Sequence, residues 1–222
     1  DICTRACRFC AVKTGRPEAI DWEEPKNVAR SIQLMKLKHS VITSVDRDDL
    51  QDGGAAVWAA TIREVKKVNP NTTIEVLIPD FKGKEELIQM VIDEKPNLIS
   101  HNMETVRRLT RQVRRNSDYD RSLKVLKYIS ENGIRAKSGI MVGIGETEEE
   151  ILETMNDLRS SGVEVLTIGQ YLQPTKAHLE VQNFVRPETF KKYEEIGLSK
   201  GFKYVESGAM VRSSYHAEKH VD

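Results

Sequence analysis

Short apolar runs alternate with longer amphipathic stretches along the chain. The runs are rich in Val and Ile and are bounded by polar turns, which is typical of buried strands. They lie at residues 40–45, 73–79, 97–101, 135–143 and 163–169, with a weaker sixth at 203–211. Because helix-length segments separate them, the pattern predicts a parallel sheet with helices outside it.

The predicted helices carry recognisable start and stop residues. Pro25 and Pro187 each stand at the first position of a helical stretch, where the fixed proline φ angle suits a helix. Thr147 followed by Glu150 is a capping box, and Gly133 is a left-handed stop. Both a barrel and an open doubly wound sheet fit this alternation of strands and helices.

Composition excludes some classes of partner. The chain has 222 residues, with 34 Lys and Arg against 34 Asp and Glu, so its net charge is zero. A balanced charge gives no general attraction to nucleic acid or to an anionic membrane. No apolar run approaches the roughly 18 residues of a membrane span, and no signal peptide is visible. We therefore expect neither nucleic acid nor a membrane as a partner.

The three cysteines, Cys3, Cys7 and Cys10, all lie within the first ten residues. An odd number at spacings of four and three argues against a disulfide framework and favours a reducing compartment. One interpretation of the cluster is that the three cysteines are unrelated buried thiols. A structural zinc ion is another, but it needs four ligands and the first histidine is His39. The third is a 4Fe–4S cluster on three thiolates, which leaves one iron open to a small molecule.

Polar residues follow several of the predicted strands. Ser44, Asp46 and Arg47 come directly after the first strand, with Gly53 and Gly54 close behind. At the mouth of a parallel sheet, carboxylates can receive an ammonium group and glycines allow a ligand to approach the backbone. An acidic loop leading into a helix is the alternative.

Two further strand ends carry candidate ligand-binding groups. Asn102 and Glu104 follow the run at 97–101; a helix N-terminus is the alternative, since both residue types are common there. Gln170, Tyr171 and Gln173 follow the run at 163–169. Their mixture of amide and aromatic groups suits a substrate that bears an amide, although an ordinary loop has similar residues.

The stretch "CTRACRFC" resembles the CxxxCxxC motif of radical S-adenosylmethionine enzymes, with Phe9 before the last cysteine as that family prefers. The resemblance implies a full or partial (β/α) barrel. It also implies a cluster whose unique iron chelates the cofactor and whose electron cleaves the sulfonium to a 5′-deoxyadenosyl radical. With six apolar runs, we expect an α/β fold, a partial (β/α)6 barrel of the TIM type whose first strand is missing.

Across the whole chain, the strings "CTRACRFC", "TSVDRDDLQDGGA", "HNMETV", "KSGIMVGIGET", "LTIGQYLQPT" and "VRSSYHA" resemble those of lipoyl synthases, in the same order. The resemblance implies a sulfurtransferase of lipoate biosynthesis that inserts two sulfur atoms at carbons 6 and 8 of a protein-bound octanoyl chain. Another sulfur-inserting radical enzyme of the biotin synthase kind and a non-catalytic iron–sulfur sensor are the alternatives.

The resemblance also implies roles for individual residues. Residues 139–146 resemble the family's G-x-I-x-G-x-x-E element near the adenine. The expected metal ligands are Cys3, Cys7 and Cys10. Expected cofactor contacts are Phe9, Ser44, Asp46, Arg47, Gly53, Gly54, Asn102, Glu104, Lys137, Ser138 and Gly143. Expected substrate contacts are Gln170, Tyr171, Gln173 and Arg212.

In lipoyl synthases the inserted sulfur comes from an auxiliary 4Fe–4S cluster, held by three cysteines upstream of the radical cluster and by a serine near the C-terminus. Here that serine is Ser213, with Ser214 as the alternative, and the upstream cysteines are absent from the sequence. Since the chain begins with Asp, we expect a fragment that lacks its natural N-terminus. The expected division is a barrel at 1–204 and an extension at 205–222; composition alone favours a solvated tail there.

The resemblance implies two protein partners. One is an octanoylated lipoyl carrier, such as the glycine cleavage H protein or a dehydrogenase E2 domain, and the other is a low-potential donor such as ferredoxin or flavodoxin. The expected compartment is the cytoplasm, or the mitochondrial matrix or plastid in a eukaryote. The segment at 107–115 contains five arginines, which form either a surface for an acidic carrier or a solvated helix face.

Overall fold

The computed structural model describes residues 2–221 and contains a six-stranded parallel sheet. Its strands are β3 (His39–Thr43), β4 (Thr73–Leu77), β5 (Leu98–Ser100), β6 (Arg135–Val142), β7 (Val163–Gln170) and β8 (Tyr204–Gly208). They pair in chain order without a reversal. The expectation of an α/β fold with a partial (β/α)6 barrel is thereby confirmed, because a doubly wound sheet requires a reversal of strand order.

A second, two-stranded parallel sheet lies at the start of the chain. It pairs β1 (Ile2–Cys3) with β2 (Lys13–Thr14), so that the cysteine loop closes on itself between the two strands. The main sheet begins with β3, which follows the first helix along the chain. The weak sixth apolar run predicted at 203–211 forms β8.

Helices follow the strands on the outside of the sheet. They are α1 (Glu24–Met35), α2 (Ala55–Val68), α3 (Glu85–Asp93), α4 (Thr110–Val113), α5 (Tyr119–Glu131), α6 (Glu148–Ser160) and α7 (Pro187–Ser199). Proline occupies the first turn of α1 and of α7, and Thr147 with Glu150 forms the predicted capping box of α6. In the described part of the chain, no helix is long and apolar enough to cross a membrane.

The spacing of Val106, Leu109 and Val113 predicts a single helix at 104–115 with these three residues buried, and the structure differs from that helix. Glu104 has a φ angle of +64° and its backbone pairs with β6, through Glu104 N to Gly139 O at 2.9 Å and Met141 N to Glu104 O at 2.9 Å. The chain therefore continues the sheet before it turns, and only a 3-10 turn and the short α4 follow. Val106, Leu109 and Val113 are nevertheless buried, as predicted.

The two faces of the sheet differ in polarity. Ile74 and Val76 of β4 are fully buried in the apolar core, whereas Glu75 between them points to the other face, as alternation along a strand requires. There Glu75 accepts hydrogen bonds from Lys137 Nζ at 2.9 Å and Ser100 Oγ at 2.7 Å. A buried polar network thus fills part of the barrel interior.

The C-terminal segment returns along the barrel after β8. Val211 lies over Gly169 near the end of β7, and the segment ends in a 3-10 turn at Ala217–His220. That turn contacts β3, and Arg135 at the start of β6 donates to the His220 carbonyl. The segment after Gly208 therefore runs from the carboxyl ends of the strands back toward their amino ends. The sequence-based division at 204/205 falls within the first residues of β8 and stays a prediction.

Candidate active site at the mouth of the barrel

The cysteine loop places three free, half-buried thiols beside the sheet. The loop is closed by hydrogen bonds from Cys10 N to Cys7 O at 3.2 Å and from Gly15 N to Cys3 O at 3.0 Å. Backbone amides also point at two of the sulfurs, from Arg5 N to Cys3 Sγ at 3.4 Å and from Val12 N to Cys10 Sγ at 3.5 Å. Amide donors to sulfur stabilise thiolate over thiol.

Without a bound metal, two of these thiols resist ionisation. Burial raises the pKa of Cys3, and it raises the pKa of Cys7 to about 12, against the opposing positive charge of Arg114. Metal ligation by cysteine requires the thiolate, so binding must displace a proton from each. The loop is therefore suited to a strongly thiophilic group.

The donor set fits an iron–sulfur cluster better than a single ion. Among residues 2–221, no three His, Cys, Asp or Glu side chains converge closely enough to hold one metal ion. Thiolates that bind separate irons of a cluster need not converge on one point, and three soft sulfur donors on one loop are the ligands that such clusters take.

The loop is held at the carboxyl ends of the strands by contacts on both sides. Arg8 N donates to Val113 O at 2.9 Å, and Arg8 O accepts from Leu179 N at 3.2 Å. The imidazole Nε2 of His178 lies 3.0 Å from Cys10 O. Sequence reasoning missed His178, since its contact crosses 168 residues of the chain and no local pattern signals it.

A cavity of about 260 Å³ opens beside the cysteine loop. The cysteine loop, the ends of β6 and β7 and the C-terminal segment all contribute to its wall. Its lining includes Phe9, Asn102, Glu104, Gly139, Met141, Thr167, Gly169, Gln170, Tyr171, Arg212 and Ser213. Seven of the residues that the sequence predicts for the site thus meet around one space: Phe9, Asn102, Glu104, Gln170, Tyr171, Arg212 and Ser213.

The cavity has a glycine floor with an unpaired polar atom above it. A β-carbon on Gly139 would lie 2.6 Å from Thr167 Oγ1 and 3.1 Å from Asn102 Oδ1. Within residues 2–221, the buried Asn102 Oδ1 has no hydrogen-bond partner. Because buried acceptors are rarely left unpaired, this oxygen and the open floor fit a ligand that brings a donor.

Glu104 contributes a carboxyl group to the same wall. Burial raises the pKa of Glu104, while the positive charge of Arg114 and a hydrogen bond from Asn102 oppose that rise. Arg114 is itself buried and donates to Met103 O at 3.1 Å and to Ser122 Oγ at 3.2 Å. A carboxyl group at the wall can accept a hydrogen bond from an ammonium group of a ligand, whose positive charge would favour the ionised form of Glu104.

The glycine-rich turn after β6 is fixed by its own glutamate. Glu146 accepts from the backbone amides of Gly143 and Ile144, and Gly143 has a φ angle of +95°. A β-carbon there would lie 2.3 Å from Gln170 Nε2. The turn therefore needs glycine, for its backbone conformation and for its contact with β7.

The predicted substrate residues also hold the loop after β7 together. Gln170 Nε2 donates to Asn183 O at 3.0 Å, Tyr171 Oη donates to Leu179 O at 2.8 Å, and Gln173 Nε2 donates to His178 O at 3.0 Å. Their polar groups shape the wall, and their contact with a substrate stays a prediction.

The residues predicted after the first strand divide between two places. Asp46 lies next to the cysteine loop, with its Oδ2 atom 3.8 Å from Cys3 Sγ. Arg47 pairs with Asp49 at 2.9 Å and, together with Gly53, lines a separate groove. Gly54 is the N-cap of α2, and Ser44 is exposed. The structure therefore brings only Asp46 of this group to the cysteine loop.

Lys137 and Ser138 occupy β6 below the cavity. The Lys137 ammonium pairs with Glu75 inside the barrel, and Ser138 Oγ accepts from Met103 N at 3.1 Å. Neither residue is among those that line the cavity. Their contact with a cofactor carboxylate stays a prediction.

The two candidate serines differ in their surroundings. Ser213 is half-buried and lines the cavity together with Arg212, whereas Ser214 is exposed and outside its lining.

The arginine-rich segment does not present one continuous basic face. Arg107 pairs with Asp120 at 2.6 Å, Arg108 pairs with Glu150 at 2.7 Å, and Arg114 is buried. Only Arg111 and Arg115 of the five are exposed without an ion pair among the described residues. This arrangement favours the solvated helix face over a carrier-binding surface.

Fold and site together define a radical S-adenosylmethionine protein. The family model described as "Radical SAM superfamily" matches residues 1–158. The solved structure of a methylornithine synthase superimposes with a TM-score of 0.70 at 13 % identity, covering 96 % of this chain and 70 % of that one. Streptococcus suis SuiB bound to S-adenosylmethionine gives a TM-score of 0.73 at 11 % identity, covering 97 % and 50 %. Members of this superfamily use a 4Fe–4S cluster and S-adenosylmethionine.

Relatives of high sequence identity show which family within this superfamily the chain belongs to. The lipoyl synthase of Flavobacterium johnsoniae is 61 % identical over 222 residues, which cover 100 % of this chain and 77 % of that protein. The mitochondrial lipoyl synthase of Nematostella vectensis is 59 % identical, covering 100 % and 76 %. The chain belongs to the lipoyl synthase family.

Proposed function

We propose that this protein inserts two sulfur atoms, at carbons 6 and 8, into an octanoyl chain that is amide-linked to a lysine of a lipoyl carrier. The observation that carries the proposal is the cavity at the barrel mouth, where the cysteine loop, the glycine floor and the C-terminal segment meet. Family membership at about 60 % identity supports it.

Cys3, Cys7 and Cys10 would hold the cluster. When bound, the cluster and S-adenosylmethionine supply the radical chemistry that removes hydrogen from an unactivated C–H bond, where no general base suffices. The protein supplies the binding and the exclusion of water. Phe9 links the cysteine loop to the cavity, since its side chain both lines the cavity and packs against the hydrophobic core.

The cavity wall is suited to the amino-acid part and the nucleoside of the cofactor. Asn102 Oδ1 offers an unpaired acceptor, Glu104 offers a carboxyl group, and Gly139 leaves room between them. We propose that the cofactor lies against these three residues. The remaining residues of the wall would then mainly hold the alkyl carbon of the octanoyl chain at roughly 3–3.5 Å from the reacting carbon of the cofactor.

We also propose that Ser213 binds the auxiliary cluster that serves as the sulfur source, with three cysteines supplied by residues upstream of Asp1 in the whole protein. The position of Ser213 on the cavity, against the exposed Ser214, supports this choice. So does the length of the relatives, of which the matched stretch covers 77 % and 76 %. A hydroxyl oxygen is a harder ligand than a thiolate.

The proposed partners follow from this reaction. The substrate is an octanoylated lipoyl carrier, either a glycine cleavage H protein or a dehydrogenase E2 domain, and reduction of the cluster requires a low-potential ferredoxin or flavodoxin. We propose the cytoplasm as the compartment, or the mitochondrial matrix or plastid in a eukaryote.

The test is anaerobic reconstitution of the full-length protein with iron and sulfide, followed by dithionite, S-adenosylmethionine and an octanoylated carrier domain. We expect 5′-deoxyadenosine and a carrier whose mass has increased by two sulfur atoms. Replacing Cys7 by alanine removes one of the three thiolates, so both products should disappear.

The alternatives give different results. Turnover of dethiobiotin but not of the octanoylated carrier would favour an enzyme of the biotin synthase kind. A protein that binds a cluster yet releases no 5′-deoxyadenosine would be a sensor. Iron and sulfide counts separate one cluster from two and so test for the auxiliary cluster independently of turnover.

A further inference from the structure

We propose that Arg5 is a positioning residue for the radical cluster: its guanidinium fixes the cysteine loop and offsets the charge of three carboxylates beside it. The inference rests on the cluster proposed above. It concerns a residue that carries no thiol and does not line the cavity.

Arg5 stands between Cys3 and Cys7, yet its side chain points away from solvent and is only 3 % exposed. Its Nε and Nη2 atoms form a bidentate pair with Asp48 at 2.7 and 2.9 Å. Nη2 also donates to Asp80 at 2.6 Å, and Nη1 lies 3.5 Å from Asp46. One guanidinium therefore joins the cysteine loop to the ends of two neighbouring strands.

Hydrogen bonds of Thr4 and of the Arg5 backbone also help to fix the cysteine loop. Thr4 N donates to Asp46 O at 3.1 Å, and Asp48 N donates to Thr4 Oγ1 at 3.0 Å. The Arg5 carbonyl accepts from Thr14 Oγ1 at 3.2 Å. These bonds hold the loop's entry strand to the β3–α2 connection, while the guanidinium extends that attachment to Asp80 beyond β4.

The charge of Arg5 matters because of what surrounds Cys3. Asp46 approaches Cys3 Sγ to 3.8 Å, and Asp48 and Asp80 belong to the same cluster of carboxylates. Asp80 is fully buried, and Arg121 reaches its other oxygen at 2.8 Å. Without Arg5, the carboxylates of Asp46 and Asp48 would lose their ion-pair partner beside a group of thiolates, where like charges disfavour both metal loading and the addition of an electron.

Lysine cannot replace this side chain fully. A single ammonium keeps the charge, but it lacks the planar fork that binds Asp48 through two nitrogens and Asp80 at the same time. The two functions of Arg5 can therefore be separated: Arg5→Lys retains the charge and loses the geometry, whereas Arg5→Gln loses both.

The test compares wild type, Arg5→Gln and Arg5→Lys in the full-length protein after anaerobic reconstitution. Iron and sulfide per chain report loading, and redox titration followed by electron paramagnetic resonance reports the midpoint potential of the cluster. We expect Arg5→Gln to lose most of the radical cluster, and the remaining cluster to have a more negative midpoint potential. Arg5→Lys should load less iron than wild type while its midpoint potential stays close to the wild-type value.

Arg121→Gln is the matched control, because Arg121 pairs with the same Asp80 from α5 without touching the cysteine loop. It should keep wild-type iron content and midpoint potential. If Arg5→Gln unfolds, as circular dichroism of the metal-free protein would reveal, Asp48→Asn replaces it. This variant loses the bidentate attachment of Arg5 together with one carboxylate charge, so loading should fall by a smaller amount.

Wild-type loading and potential in Arg5→Gln would overturn the inference while leaving the proposed function intact. Equal losses in Arg5→Gln and Arg121→Gln would also overturn it, since they would indicate a general loss of stability. A wild-type protein that binds no cluster would instead contradict the proposed function itself.

Discussion

The carbonyl oxygen of Val211 lies directly against Gly169: a β-carbon on that glycine would be 2.4 Å from it. Gly169 is near the end of β7, and Val211 begins the segment that carries Arg212 and Ser213 to the cavity. The absence of a side chain on Gly169 therefore sets how deeply the C-terminal segment lies over the barrel mouth.

Gly169→Ala should displace the C-terminal segment and withdraw Ser213 from the cavity. A contact of 2.4 Å with a backbone oxygen cannot be relieved by rotating a side chain. In the reconstituted full-length protein we expect the auxiliary cluster to be lost while the radical cluster and reductive cleavage of S-adenosylmethionine remain. Iron counts measure the first effect and 5′-deoxyadenosine measures the second.

Gly208→Ala is the control for this substitution. A β-carbon at Gly208 would meet Val211 Cγ2 at 3.4 Å, an ordinary van der Waals contact on the same segment. Retention of both clusters in Gly169→Ala would show that the segment does not depend on this contact.

Gly139→Ala should weaken cofactor binding without reducing iron content. The added methyl group would enter the cavity floor, 2.6 Å from Thr167 Oγ1, whereas the cysteine loop makes no hydrogen bond to Gly139 in the described chain. Calorimetric titration of the reconstituted protein with S-adenosylmethionine measures the loss. Unchanged affinity would place the cofactor elsewhere.

Local patterns in the sequence predicted most of the fold. The Val- and Ile-rich runs form the sheet, and the prolines of α1 and α7 and the Thr147 capping box mark helix ends as predicted. These features depend on neighbours within a few residues. Hydrophobic periodicity gives the wrong prediction, a single helix, for the segment at 104–115. The reason is that Glu104 joins β6 through a backbone contact that periodicity does not report.

Motifs in the sequence indicate candidate site residues, but not the contacts that residues make with distant partners. Asn102, Glu104 and Ser213 line the same cavity, and their roles there stay predictions. Arg5 lies inside the cysteine motif, but no local pattern signals its contact with Asp80, which is 75 residues away. The Lys137 ammonium pairs with Glu75 within the barrel, and its contact with the cofactor stays a prediction.

Glu75→Gln should destabilise the protein strongly, because it leaves the buried Lys137 ammonium without its counter-charge. Both side chains are at most 1 % exposed, and breaking such a pair costs ~3–5 kcal/mol. Chemical denaturation of the metal-free protein measures the loss. Glu148→Gln breaks the exposed pair with Lys192 and should change stability by less than ~1 kcal/mol; similar losses in the two variants would contradict the argument.

Stability should fall on mild acidification because of His101. This imidazole is buried, with Nδ1 2.9 Å from Ile78 O and Nε2 3.0 Å from Ser122 Oγ. Burial lowers the pKa of His101 to about 4; the charges of Arg114 and Arg5 act in the same direction and that of Asp80 opposes them. The unfolded chain has an ordinary histidine pKa of about 6.5. Between about pH 6.5 and 4 it therefore binds a proton that the folded protein does not bind.

This difference stabilises the fold fully above about pH 6.5, and the stabilisation declines as the pH falls toward about 4, by up to ~3 kcal/mol for one group. Unfolding free energies of the metal-free protein between about pH 6.5 and 5 measure the slope. His101→Asn cannot take up the proton, so its stability should depend less steeply on pH than that of wild type. Equal slopes would mean that His101 titrates alike in the folded and unfolded chains.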